Sequence, residues 1–466
     1  MENLKFLLVL AGSLLIFTTQ SVSAPKKQAD LIIQNGTIVT MDGTKRVIEN
    51  GAIAVRKGKI VAVGSVAEIK AKFVSKQITD ATGKMIIPGL INTHTHVPMA
   101  LFRGIADDLD LNDWLTKYIF PAEGKNVTEE FVRAGTQLGL AEMIRGGTTT
   151  YCDMYYFEDA IADETAKAGV RGVLGETIID FPVADNKTNE EAMAYAEKFV
   201  KKWQKNTLIV PAIAPHAPYT VSEEHLKAAR ALSDKLNAPL VIHLAEDRKE
   251  LKFVEDNKKM RPIEYVTKIG FLSDKTIAAH VIYANDDEID TLKNLGVGVA
   301  HCPQSNMKLA AGVAPIPQML AKDLRVGLGT DGAASNNDLS LWEEMDTAAK
   351  LHKVFNFDPK VVSAEQVFEM ATIRGASALH LEKITGSIET GKRADIVIVD
   401  TDSLNQTPMY NVYSSLVYST KANDVRSVII EGKFVMKDRK LLTLNEVLIK
   451  QNANKYREQV VKSLAN

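Results

Sequence analysis

The sequence predicts an α/β fold in which a closed (β/α)8 barrel carries a small β-sandwich assembled from both ends of the chain. Three observations carry that expectation. The middle of the chain alternates short apolar runs with amphipathic stretches, the signature of repeated βα units. Both flanks have a different texture, with β-branched runs broken by Asn-Gly and Lys-Gly turns. Six of the nine histidines also fall at or just past the ends of expected strands, positions that a barrel gathers on one face.

Taken in order, the chain opens with Lys5, the apolar run FLLVLAGSLLIF (6–17) and the small residues Ser21, Val22, Ser23 and Ala24. This is the layout of a secretory signal over residues 1–24, too short for a comfortable membrane span, and it predicts an exported, periplasmic or secreted protein. Glu2 dilutes the positive charge and Pro25 is a poor residue after a cleavage site, so the alternative is an uncleaved N-terminal anchor. Runs 30–41 (DLIIQNGTIVTM) and 51–64 (GAIAVRKGKIVAVG) read as hairpins, and the texture returns at 394–400 and 425–435. Residues 28–84 and 386–440 therefore form the expected composite sheet domain, 85–385 the barrel, and 441–466 a helical tail.

Within the middle, strands are expected at 84–90 (KMIIPGL), 147–152, 170–175, 208–214, 239–244, 276–280, 297–302 and 326–331, with a clear amphipathic helix at 223–236. About eight units over about 300 residues suit a barrel. A doubly wound open sheet is the alternative, but no Gly-x-Gly-x-x-Gly opens a helix after the first strand.

Composition excludes several classes. With 56 Lys and Arg against 58 Asp and Glu, the net charge of -2 provides no field for a phosphate backbone, so no nucleic-acid partner is expected. The two cysteines, Cys152 and Cys302, are too few for a disulfide framework and read as buried free thiols.

The chemistry concentrates in the histidines. His94 and His96 share one side of a strand end, while His216, His243, His280 and His301 follow other strands, as do Glu246 and Asp331. Three neutral imidazoles and a carboxylate, His94, His96, His243 and Asp331, suit one divalent metal, Zn²⁺ or else Fe²⁺, with room for a water. Such an ion lowers the pKa of its water toward ~7. Glu246, three residues after a ligand, can move the proton, and Asp331 and His280 can orient the water. A second metal would need a further anionic ligand such as a modified Lys, and no Lys occupies the strand ends before His216 and His243.

The motifs PGLINTHTH (88–96), HLAE (243–246), GTDGAASNN (329–337) and GSIETGKRAD (386–395) resemble the amidohydrolase superfamily, and within it the 5-methylthioadenosine/S-adenosylhomocysteine deaminases and their triazine-hydrolase relatives. The resemblance covers nearly everything after residue 24. It implies hydrolytic attack on an amino-bearing carbon of a nitrogen heterocycle, with ammonia expelled. It places His94, His96, His243 and Asp331 on the metal, Glu246 as proton carrier to the ring nitrogen and His280 beside the water. It further implies that Trp114 (LNDW, 111–114), Glu123 (FPAE, 120–123) and His216 (PHAPY, 215–219) contact substrate, with Glu123 suited to grip a ribose diol. Taken alone, Trp114 reads as core and Glu123 as solvated surface. Relatives are often oligomeric, so a homo-oligomer is implied.

The sequence also departs from the pattern. Arginines that some members use for the amino-acid tail of S-adenosylhomocysteine do not align, because GET (175–177) places Glu176 where Arg is expected and Lys187 is a loose substitute. Methylthioadenosine or adenosine is therefore favoured over the tailed nucleoside. Two competing expectations are the same chemistry on another heterocycle, such as guanine, a pterin or a triazine, and a non-catalytic barrel. The presence of every ligand and of Glu246 argues against the latter.

Overall fold

The computed structural model describes residues 25–464, so the export signal expected at 1–24 lies outside the described residues. Among those described, no helix is long and apolar enough to cross a membrane. Eight parallel strands form the central sheet: β1 (Leu90–Thr95), β2 (Thr148–Tyr155), β3 (Arg171–Ile178), β4 (Ile209–Pro215), β5 (Leu240–Leu244), β6 (Thr276–His280), β7 (Gly298–His301) and β8 (Arg325–Leu328). They pair in chain order, each with the next. Helices such as Glu129–Arg145 and Glu223–Leu236 connect them, and Leu341–Asn356 follows the last strand.

The seam between β8 and β1 is closed by individual hydrogen bonds instead of a ladder. Asn92 accepts the Thr330 N–H at 3.0 Å and donates to its hydroxyl at 2.8 Å, while the Asp331 N–H donates to the His94 carbonyl at 3.0 Å. Glycine makes this approach possible, because a Cβ on Gly329 would lie 2.9 Å from the His94 nitrogen and one on Gly327 2.4 Å from Thr93. Closing the seam thus brings Asp331 to the first strand's histidines.

Side chains at alternate positions fill the barrel: Cys152 and Met154, Val173, Ala212 and Ala214, Val241 and Ile277 share one buried cluster. Continuing the same two-residue period past β4 and along β5 places His216 above Ala214 and His243 above Val241. Both cysteines are buried and free.

The termini build a nine-stranded mixed sheet in which Lys84–Pro88 lies between Leu31–Val39 and Ile396–Asp400. The end strand Lys59–Ser65 folds back on the segment before Ile396–Asp400 through a bridge between Lys59 and Arg393, and one apolar cluster gathers Ile33, Ile53, Ile60, Ile86, Ile396 and Ile429. Met85 and Ile87, on the opposite face from Ile86, join the large cluster shared with the barrel. The expected first barrel strand is corrected accordingly. The run KMIIP pairs within the small sheet, the barrel begins at Leu90, and a boundary at 85 would cut a strand. A continuous apolar run is what burial on two faces produces, so composition did not separate the two locations.

A buried ion pair ties the two parts together. Arg171, at the start of β3 and 2% exposed, reaches Asp395 at 3.1 Å and Glu431 at 3.3 Å. The C-terminal helix, Glu446–Leu464, lies on Glu129–Arg145, where Tyr456 packs edge-on against Phe131. Removing one partner of a buried pair leaves the other charge uncompensated. Arg171→Met should therefore lower stability by about 3–5 kcal/mol, read from the urea midpoint; an unshifted midpoint would show that the pair contributes nothing.

Candidate metal centre and substrate cavity

Nine side chains singled out in the sequence meet at the C-terminal end of the barrel. His94 and His96 come from β1 and its end, His216 from the end of β4, His243 from β5, His280 from β6 and Asp331 from the turn after β8. The backbone pays for this convergence in strain: Ala245, His280 and Asp331 adopt φ of +52°, +71° and +61°. This conformation costs a non-glycine residue free energy.

The tautomers of two rings follow from main-chain neighbours. His96 Nδ1 lies 2.6 Å from the Met154 carbonyl and His243 Nδ1 2.9 Å from the His216 carbonyl. A carbonyl only accepts, so each Nδ1 carries the proton and each Nε2 presents a bare lone pair. Those two Nε2 atoms face each other at 3.2 Å. Asp331 Oδ1 lies 3.3 Å from His96 Nε2 and 3.5 Å from His94 Nε2, and neither nitrogen of the buried His94 has a hydrogen-bond partner.

Such a set of converging acceptors is unfavourable unless a cation joins them. Burial holds His94 at about 4 and His243 well below the usual imidazole range. Burial also opposes charge on His96, yet the Asp331 carboxylate overrides it and raises that ring to about 9, so a proton takes the His96 Nε2 lone pair wherever a cation does not, and the cluster accommodates an added positive charge. His94, His96 and Asp331 form one group that could hold a metal, and His94, His243 and His280 form an overlapping one. The N/O donor set fits a zinc-like divalent ion.

Neighbours hold these groups in place. Asp331 Oδ2 accepts hydroxyls from Ser305 at 2.7 Å and Ser335 at 3.0 Å. His280 Nδ1 faces Asn306 Oδ1 at 2.9 Å, leaving its Nε2 bare and 3.5 Å from Glu246 Oε1. Asp153 accepts the Thr95 hydroxyl and the Val97 N–H, both at 2.6 Å, and so fixes the turn around His96. Burial raises Glu246 to about 7, which lets it both take and return a proton near neutrality.

A cavity opens over this cluster, lined by His96, His216, His243, Glu246 and Asp331 and roofed in part by Leu111, Trp114, Leu115 and Phe120. Glu123 also lines it, 6% exposed, and accepts the Tyr155 hydroxyl at 2.6 Å. Its burial raises the carboxyl to about 7. Trp114 is buried with an unpartnered indole N–H. The His216 and His243 ring centroids lie 4.8 Å apart with the planes tilted by 57°, and His216 Nδ1 lies 2.9 Å from the Thr220 hydroxyl. Among the described residues, no lysine or arginine lines this cavity, and Glu176 is buried in β3 against Asn186.

One histidine does not join the site. His301 ends β7 but points to the outer helix, its Nε2 3.0 Å from that of His352. Ser305, Ser335, Asn306, Asp153 and Tyr155 went unnoticed in the sequence because common polar residues acquire this role only through contacts made across the barrel.

The sequence matches the Amidohydrolase family over residues 85–435. The chain belongs to this family. Among its relatives, 5-methylthioadenosine/S-adenosylhomocysteine deaminase 1 of Syntrophus aciditrophicus (strain SB) is 44% identical over 94% of this chain and 99% of that protein. A 5'-deoxyadenosine deaminase of Methanocaldococcus jannaschii is 44% identical over 89% of this chain and 98% of the other. An adenosine deaminase from Xanthomonas campestris, solved with bound zinc, superposes with a TM-score of 0.92 at 37% identity, covering 94% of this chain and 100% of that one. Atrazine chlorohydrolase from Arthrobacter aurescens TC1 shares the fold, with a TM-score of 0.85 at 22% identity over 92% and 100% of the chains.

Metal content tests whether His280 is itself a ligand or only a neighbour of the other donors. His243→Asn should strip most of the retained zinc, whereas His280→Asn should retain it; elemental analysis showing equal loss would make His280 a ligand.

Proposed function

We propose that this amidohydrolase is a metal-dependent hydrolytic deaminase of adenine nucleosides, yielding the inosyl product and ammonia. The observation that carries this assignment is the presence, in one cavity, of a cation-seeking cluster, a carboxyl tuned near neutrality and a second buried carboxyl held by Tyr155. The names of its relatives support the same chemistry.

His94, His96, His243 and Asp331 would hold one divalent ion, Zn²⁺ best matching the donors. Bound there, the ion supplies Lewis acidity that brings a water within reach of ionisation near pH 7. Glu246 takes the proton from the attacking water and delivers it to the ring nitrogen beside the amino-bearing carbon. His280, held by Asn306 with its Nε2 bare, orients the water together with Asp331, which Ser305 and Ser335 hold in place. Glu123 accepts the vicinal ribose hydroxyls, with Trp114 and His216 bounding the nucleoside.

The tail position separates candidate substrates. The apolar side chains Leu111, Leu115, Ile119 and Phe120, and the absence of a lining cation among the described residues, favour a small apolar 5' group over an amino-acid carboxylate. Methylthioadenosine or 5'-deoxyadenosine is the preferred substrate. A free base, pterin or triazine is the alternative, and it leaves the buried Glu123 without a diol to bind. Export to the periplasm or medium is proposed on residues 1–24 alone.

Ammonia release by the zinc-loaded protein against these nucleosides and bases tests the assignment directly; turnover of bases alone would discard the nucleoside. Glu246→Gln should keep zinc while lowering turnover by about two to four orders of magnitude. Unchanged turnover would remove Glu246 from the proton path. Glu123→Ala should raise KM for nucleosides far more than for free bases, and equal effects would sink the ribose contact.

A further inference from the structure

The turn that carries Glu246 is held from behind by a second acid. Glu250 lies in the first turn of the helix Arg248–Lys258, is 3% exposed and does not line the substrate cavity. Its Oε1 accepts the Ala245 N–H at 2.9 Å and its Oε2 accepts the Glu246 N–H at 2.7 Å. Ala245 between them has φ +52°, so Glu250 grips the strained residue and the one that follows it. The Ala245 carbonyl accepts from Ile282 at 2.9 Å and Tyr283 at 3.1 Å, which ties the same turn to the chain just past His280.

Helix capping does not account for this arrangement. Asp247 already caps the helix by accepting the Glu250 N–H at 2.7 Å. An acid at the third helical position ordinarily reaches back to the N–H of the cap residue itself. Glu250 instead reaches past Asp247 to the two preceding N–H groups. Its burial is costly, raising the carboxyl to about 8 against the pull of those two bonds, and the nearby Glu246 charge adds to the rise. A buried acid that the helix start does not require is explained by what it aims.

We propose that Glu250 is the positioning residue of the proton carrier: by gripping the Ala245 and Glu246 N–H groups, it fixes the left-handed turn and so the aim of the Glu246 carboxylate at the reacting heterocycle. This rests on the deaminase assignment of Glu246. The two contribute separately to the outcome, because the native enzyme's ammonia release and the Glu246→Gln loss are measured first, on the best substrate found.

The test uses the full zinc-loaded chain with Glu250→Ala and the more conservative Glu250→Gln, which keeps one carbonyl acceptor. Glu250→Ala should lower kcat by about 10- to 100-fold with KM within about threefold, zinc content should stay native, and Glu250→Gln should fall between. On the Glu246→Gln background, Glu250→Ala should add no further loss, because the group it aims is already disabled. A multiplicative further loss there, a loss that tracks zinc content, or native kcat in both single variants would overturn the proposal. Absence of any turnover by the native enzyme would instead defeat the deaminase assignment, and faster amide exchange at 243–248 in Glu250→Gln would still report the clamp; native exchange rates there would overturn it.

Discussion

The chemistry of this barrel depends on which nitrogen of each imidazole carries a proton, and main-chain carbonyls make that choice. Met154 and His216 occupy the Nδ1 positions of His96 and His243, so both Nε2 lone pairs turn inward to within 3.2 Å of each other. The Met154 carbonyl belongs to β2, paired with β3, and the His216 carbonyl, just past β4, also accepts the His243 N–H at 3.0 Å. These main-chain carbonyls therefore fix both tautomers with their lone pairs toward the centre of the cluster. Asp331 completes the set only because the last strand returns to the first, and glycines at 327 and 329 allow that contact.

Left-handed backbone and buried acids occur together around the candidate site. Three left-handed residues, Ala245, His280 and Asp331, sit at strand ends, and each is held by hydrogen bonds from outside its own strand. Four acidic side chains near the site, Glu123, Asp153, Glu246 and Glu250, are buried and pushed toward neutrality by the loss of water. The fold supports these costs with a large shared apolar cluster and a cross-domain ion pair at the opposite end of β3.

Much of the architecture was legible because it is local. Alternation of apolar runs marked seven of the eight barrel strands, and the helix at Glu223–Leu236 followed its amphipathic period. The exception, KMIIPGL, spans two elements, since Pro88 ends a strand of the small sheet and Leu90 begins the barrel. His301 stands at the end of its strand as expected but outside the site. Its position at a strand end was evident, but a two-residue period does not tell which parity faces inward.

By itself, the sequence determined the kinds of element, the order in which they occur and the chemical types standing at the strand ends, because these follow from periodicity and side-chain identity. It also supplied the motifs whose histidines, Glu246 and Asp331 the barrel gathers at one end. Only the tertiary structure decided the sense of each side chain, the tautomers, the burial of Glu123 against Tyr155 and the grip of Glu250 on the Glu246 turn. Those depend on how strands register around a closed sheet and on which groups distant in the chain lose water together, and neither is encoded in any local stretch.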